Sequence, residues 1–159
     1  MKTIVGVSDM KVSGNRDETL ITYSLGSCIG VVIYDSQVKV GGMLHYMLPE
    51  SQLDREKAQK NPYMFADTGI PALFKAAYAL GALKSRMRVV VVGGAQILDQ
   101  KGFFNIGKRN HMALRKLFFK NGVIVDHEDV GGNVNRTIRI EIGTGAIYMK
   151  TSGKGEEKV

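Results

Sequence analysis

A thiol becomes a nucleophile only when a base or an electropositive neighbour takes its proton. This chain has a single cysteine, Cys28, in Ser24-Leu25-Gly26-Ser27-Cys28-Ile29-Gly30. The first of its three histidines, His45, follows in Met43-Leu44-His45-Tyr46-Met47-Leu48-Pro49. If the two side chains meet, the protein has the parts of a cysteine hydrolase. The plain alternative is that each is structural. A free cysteine often behaves as a small buried hydrophobe, and a histidine flanked by Met43, Leu44 and Tyr46 suits a hydrogen-bonded core position. The strands that carry the two residues decide between these readings.

Residues 28–35 and 38–48 are rich in β-branched and aromatic side chains, the composition of strands, and only Ser36-Gln37 separates them. A two-residue hairpin loop sets Asp35 opposite Val38, Ile33 opposite Val40 and Cys28 opposite His45. Side chains directly opposed on one face have Cβ atoms about 4.5–5.5 Å apart, which suits a thiol–imidazole contact. The loop lacks the Asn-Gly or Asp-Gly signature, and a slip of one residue would send the pair to opposite faces.

Further strand-like runs lie near residues 3–8, 18–24, 87–93, 123–129, 137–142 and 146–151. Two helices are expected. One runs from about Asp67 to Leu80, with Ile70, Leu73, Phe74, Ala77 and Leu80 on one stripe and Gly81 as its stop. The other runs from about Lys108 to Asn121, with Met112, Leu114, Leu117 and Phe118 as its apolar residues and Gly122 as its stop. The stretch Pro49–Pro62 is polar and reads as a long loop of the kind that forms lids or partner-binding surfaces. Many strands with two interspersed helices predict an α/β (α+β) sandwich, mixed sheets flanked by two main helices. The chain reads as one domain over residues 1–151, with a disordered tail over 152–159.

Composition narrows the function. A chain of 159 residues, 44% hydrophobic and 23% charged, is long enough for a real core. One cysteine excludes an internal disulfide and fits a reducing, cytoplasmic setting. Met1-Lys2-Thr3-Ile4-Val5 opens no long apolar segment, and no run approaches membrane-spanning length, so neither secretion nor membrane insertion is expected. The net charge of +7 points to an acidic partner. The basic residues are dispersed without a nucleic-acid-binding motif, and Arg115, Lys116 and Lys120 read as a solvated helix face, so nucleic acid is not the expected partner. Val92-Gly93-Gly94-Ala95 and Val130-Gly131-Gly132-Asn133 follow strands but match no phosphate-binding fingerprint. Their glycines suit positive-φ turns, or else the approach of backbone amides to a reacting carbonyl. Cys28, His45, His111 and His127 lack metal-ligand spacing, and Asp126-His127-Glu128-Asp129 alternates faces on a strand, so no metal is expected.

Several short stretches together resemble the CheD family of chemoreceptor glutamine deamidases. They are Leu25-Gly26-Ser27-Cys28, His45-Tyr46-Met47-Leu48-Pro49, Tyr63 with Ala66-Asp67-Thr68, Gly93-Gly94-Ala95, Asn105-Ile106-Gly107 with Arg109-Asn110, Asp129-Val130-Gly131-Gly132 with Arg136, and Thr144-Gly145. Each is weak alone; in this order over residues 3–150 the set is specific. The resemblance implies a fold like the catalytic domain of cytotoxic necrotizing factor. It also implies hydrolysis of selected receptor glutamine amides to glutamate and ammonia, with methyl-ester hydrolysis as a related activity and no cofactor. Carried over from the family, the catalytic residues are Cys28, His45 and Thr22. The implied partners are methyl-accepting chemotaxis receptors as substrate and, for some members, a CheC phosphatase; a non-catalytic adaptor docking on either is the alternative. In the implied mechanism His45 takes the thiol proton, Thr22 orients the imidazole, and backbone amides at the Gly26-Ser27-Cys28 turn hold the oxyanion. Tyr23-Ser24 and Gln96-Ile97 depart from the family pattern. The first puts local packing in doubt, the second target preference.

Overall fold

A strand that shows no polar face must be covered on both sides, and this chain has two such strands side by side. Every residue of Ile29–Asp35 and of Val40–Tyr46 is buried. The computed structural model describes residues 1–96 and 105–159. In chain order the elements are β1 (Lys2–Ile4), β2 (Asp9–Ser13), β3 (Thr19–Leu25), β4 (Ile29–Asp35), β5 (Val40–Tyr46), α1 (Arg55–Lys60), α2 (Ala66–Ala79), β6 (Met87–Gly93), α3 (Ile106–Asn121), β7 (His127–Val130), β8 (Arg136–Glu141), β9 (Ile147–Thr151) and β10 (Glu156–Lys158).

The strands form two five-stranded mixed sheets, ordered β1-β3-β8-β9-β10 and β2-β5-β4-β6-β7. One face of the second sheet carries Val32, Met43, Val90 and Val92, which meet Leu20, Leu25, Ile138, Ile140 and Met149 of the first. Its other face carries Ile29, Val31, Ile33, Leu44 and Tyr46 against Ile70, Leu73 and Phe74 of α2 and Leu114 and Phe118 of α3. The result is the expected sandwich: sheet, sheet, helices. Each fully buried aliphatic side chain in these two layers contributes about 1.5–3 kcal/mol. No helix among the described residues is long and apolar enough to cross a membrane.

Three segments differ from expectation. The 49–62 stretch is not structureless: single 3-10 turns at Ser51–Leu53 and Pro62–Met64 bracket α1. Side chains start these elements, since the Asp54 carboxylate accepts the Lys57 N–H and the Asn61 side chain accepts the Tyr63 N–H. Because α1 buries nothing, it leaves no hydrophobic period to read. The edge strand β2 pairs antiparallel with β5. Residues 156–158, within the tail expected to be disordered, form β10 on the edge of β9, where Arg139 grips Glu156 with two hydrogen bonds.

Candidate active site

The β4–β5 hairpin sets the first relation, and it corrects the expected register. Gly30, not Cys28, lies opposite His45, and Asp35 pairs with Val40 across a connection of residues 36–39. The physical reason is Asp35, whose carboxylate accepts the Gln37 N–H and so opens a longer turn, which Lys39 closes at φ 54°. A shift of two residues preserves the face. Cys28 lies one residue before the paired run, which begins at Ile29, so by strand alternation it shares the His45 face. Cys28 is half-buried against the core between the sheets.

Thr22, on β3 of the first sheet, reaches His45 across the layer. Its Oγ1 is 2.7 Å from His45 Nδ1 and 2.7 Å from the Val5 carbonyl oxygen. A carbonyl only accepts, so the single hydroxyl hydrogen goes to Val5 and Oγ1 accepts from Nδ1–H. That fixes the tautomer and leaves the ring's lone pair on Nε2. Nε2 is buried and has no hydrogen-bond partner among the described residues. A buried acceptor left bare costs about 1–3 kcal/mol; Nε2 shares this state with Asn110 Oδ1 and Arg136 Nε.

The turn before Cys28 is held through its carbonyls. Gly26 C=O accepts the Ala95 N–H at 2.8 Å, Cys28 C=O accepts the Gly94 N–H at 2.9 Å, and Ser27 C=O accepts from Asn110 Nδ2 at 2.9 Å. No backbone carbonyl among the described residues takes the N–H of Ser27 or Cys28. A Cβ at Gly93 would collide with the Cys28 carbonyl, and Gly93 and Gly94 both have positive φ. The Gly-Gly-Ala segment thus serves the turn reading: its Gly94 and Ala95 amides are spent on the carbonyls of Gly26 and Cys28.

Asn110 is the residue that sequence reasoning gave no role. It is fully buried on α3, and its Nδ2 donates to Ser27 C=O and, at 2.8 Å, to Met47 C=O. The Asn110 backbone carbonyl accepts the Tyr46 hydroxyl at 2.7 Å. One side chain therefore ties the segment before Cys28 to the segment after His45. The available signal was a polar residue on the helix's inner line, with Gly107, Leu114 and Phe118. Arg136, buried on β8, donates to the Gly93 carbonyl and pairs with Asp129. Asp126 accepts the Val89 N–H and Glu128 meets His111, so the acidic run on β7 is tied into the fold.

Burial sets the protonation states. It pushes the Cys28 thiol up to about 11, opposed by the residue's own backbone amide, and pushes the His45 imidazole down to about 4. Both shifts favour the uncharged form, so the resting site holds a thiol and a neutral imidazole. No hydrogen bond joins them in this state. Four surface clefts lie along α2, α3, the 49–55 bend and the 83–89 segment, and none is lined by Cys28 or His45. Ile97 lies outside the described residues, while Gln96 donates from its side chain to Asn105. Among the described residues no cluster of three or more histidine, cysteine or carboxylate side chains stands together as a metal site.

The chain is similar to known proteins of one family. A family model described as CheD chemotactic sensory transduction matches residues 47–151. The "Probable chemoreceptor glutamine deamidase CheD 1" of Syntrophus aciditrophicus is 59% identical over 150 residues, covering 94% of both chains. A relative of the same description from Solibacter usitatus is 48% identical over 156 residues, covering 98% of this chain and 92% of its own. A third, from Anaeromyxobacter dehalogenans, is 42% identical over 92% of both chains. On the strength of these matches, the chain belongs to the CheD family.

Proposed function

We propose that this protein hydrolyses glutamine side-chain amides of chemoreceptors to glutamate and ammonia, with Cys28 as nucleophile, His45 as general base and acid, and Thr22 as the residue that orients the imidazole. The observation that carries the reading is the Val5–Thr22–His45 chain, which commits Nδ1 and leaves Nε2 bare on the face shared with Cys28. A core histidine would gain by satisfying both nitrogens.

Because thiol and imidazole rest uncharged, proton transfer accompanies attack rather than preceding it. As the sulfur adds to the glutamine carboxamide carbon, its proton passes to His45 Nε2 and the carbonyl oxygen takes negative charge. The N–H groups of Ser27 and Cys28, unclaimed by backbone carbonyls, are the donors for that oxygen, each worth roughly 2.7–4 kcal/mol in sites of this type. Gly26 lets the turn present them. The imidazolium returns its proton to the departing nitrogen, releasing ammonia and leaving a thioester. Water, deprotonated by the same imidazole, then attacks the thioester carbon; the sulfur leaves and is reprotonated, and glutamate is freed. A glutamyl methyl ester fits the same steps, with methanol in place of ammonia. A free thiol nucleophile is best kept in a reducing compartment, which supports a cytoplasmic setting, and the family resemblance supports a CheC-type phosphatase as a partner.

The test is mass spectrometry of receptor cytoplasmic helices incubated with wild type and with Cys28→Ala. Conversion of glutamine to glutamate by wild type alone supports the assignment. Equal conversion by both removes Cys28 from the chemistry, and conversion by neither, with tight receptor binding, makes the protein an adaptor.

A further inference from the structure

The outer face of α3 carries a pattern that the chemistry above does not use. Lys108, Arg109, Met112, Arg115, Lys116, Phe119 and Lys120 are all exposed and follow one line along the helix at spacings of three and four. Met112 is 54% exposed and Phe119 92%. They stand seven residues apart, two turns, each with cations on both sides. A solvated helix face normally intersperses carboxylates with its cations, yet α3 contains no Asp or Glu. None of its five lysine and arginine side chains forms an ion pair among the described residues, whereas Arg86, Arg136 and Arg139 each hold a carboxylate. The placement is unfavourable for the isolated helix. Lys108 and Arg109 sit in the first turn, at the positive end of the helix dipole, and Lys116 and Lys120 repel at i, i+4.

We propose that this stripe docks an acidic amphipathic α-helix of a partner protein, one with an apolar residue about every seventh position flanked by Asp or Glu. The occupant is argued from charge complementarity and from the apolar spacing. The two-turn step from Met112 to Phe119 matches the step between equivalent positions on a second helix packed nearly along the first. A shallow trough between α3 and the Pro49-Glu50 bend, lined by Met112, Arg115, Lys116 and Phe119, gives such a helix a seat. A nucleic-acid backbone would use the cations but leave Met112 and Phe119 without apolar contact. The proposal needs no thiol chemistry and stands whether or not Cys28 is catalytic.

The experiment uses the full chain and a fluorescein-labelled synthetic peptide of about three heptads, with leucine once per heptad and glutamate on either side of it. Its controls are the same residues in permuted order and a duplex DNA of similar charge. Fluorescence anisotropy is expected to show saturable binding of the patterned peptide, at least tenfold tighter than the permuted one. Phe119→Ser and Lys116→Glu should each weaken it about tenfold or more, and added salt should weaken it further. Both sites are exposed, so unchanged thermal unfolding of the variants separates lost docking from lost folding. Equal affinity for patterned and permuted peptides, or undiminished binding by Phe119→Ser, overturns the proposal. Tighter binding of DNA through the same residues also overturns it, in favour of a polyanion surface.

Discussion

The two faces of α3 ask different things of the same helix. On the inner line, Gly107, Asn110, Leu114 and Phe118 are buried, and the polar member has its donors aimed at two backbone carbonyls near the site. On the outer line, seven residues face solvent and the cations lack carboxylate partners among the described residues. The Asn110 amide nitrogen serves both carbonyls, while its Oδ1 has no partner among the described residues, so Asn110 is specified by the two carbonyls it holds. An exposed cation is tolerated almost anywhere, so five together without a carboxylate are not specified by folding. The inner face reports on the architecture of the site, the outer face on a partner.

The largest effects are expected where the inner clamp meets the layer between the sheets. Thr22→Val keeps the shape of the side chain but strips the oxygen that receives Nδ1–H, so the ring loses both its orientation and its tautomer preference. Deamidation should fall roughly a hundredfold or more, and Thr22→Ser should restore most of it. A Thr22→Val enzyme with full kcat on receptor substrate would show that Nε2 is not the working atom.

Asn110 and Arg109 are adjacent in sequence and lie on opposite faces, which makes them the sharpest contrast. Asn110→Ala leaves the Ser27 and Met47 carbonyls without their donor and should cost about 2–4 kcal/mol in urea unfolding. It should also lower kcat more than it raises KM. Arg109→Ala should stay within about 0.5 kcal/mol of wild type. Similar losses for both would erase the distinction between the faces.

The layer between the sheets also responds to pH. His45 titrates near 4 in the folded protein against an ordinary value of 6.5. The unfolded chain therefore takes up the proton first as pH falls, and the native state loses about 3 kcal/mol between pH 6.5 and 4. Cys28 works in the opposite sense: its folded value near 11 lies above the ordinary 9.0, so stability is lost as pH rises from 9 toward 11. Unfolding free energies of wild type, His45→Gln and Cys28→Ala across this range should show each slope vanish with its own residue.

Some of this was legible in the chain. The apolar runs of β4 and β6 have no polar face, and the parity that puts Cys28 and His45 on one side survives any slip of two residues. The register itself was not legible. It is set by the Asp35 carboxylate, which holds Gln37 in the turn but also Leu83 and Arg86 from beyond α2. Asn110 escaped for the same reason, since Ser27 and Met47 are distant in sequence and nothing local to α3 names them. Thr22 entered only through family resemblance, because a threonine in a strand is ordinary until its hydroxyl is seen between Val5 and His45.

The smallest expected effect completes the contrast. Phe119 has almost no native neighbours to lose, so Phe119→Ser should change stability by no more than about 0.5 kcal/mol. Leu114→Ala, on the inner line, removes a fully buried side chain and should cost about 2–5 kcal/mol. Parallel urea titrations of the two variants measure the difference directly. If Phe119→Ser destabilised the isolated protein as much as Leu114→Ala, its ring would be packed against this chain rather than offered to another. A stability-neutral Phe119→Ser that loses the acidic helix leaves the ring with no role except at a partner's surface.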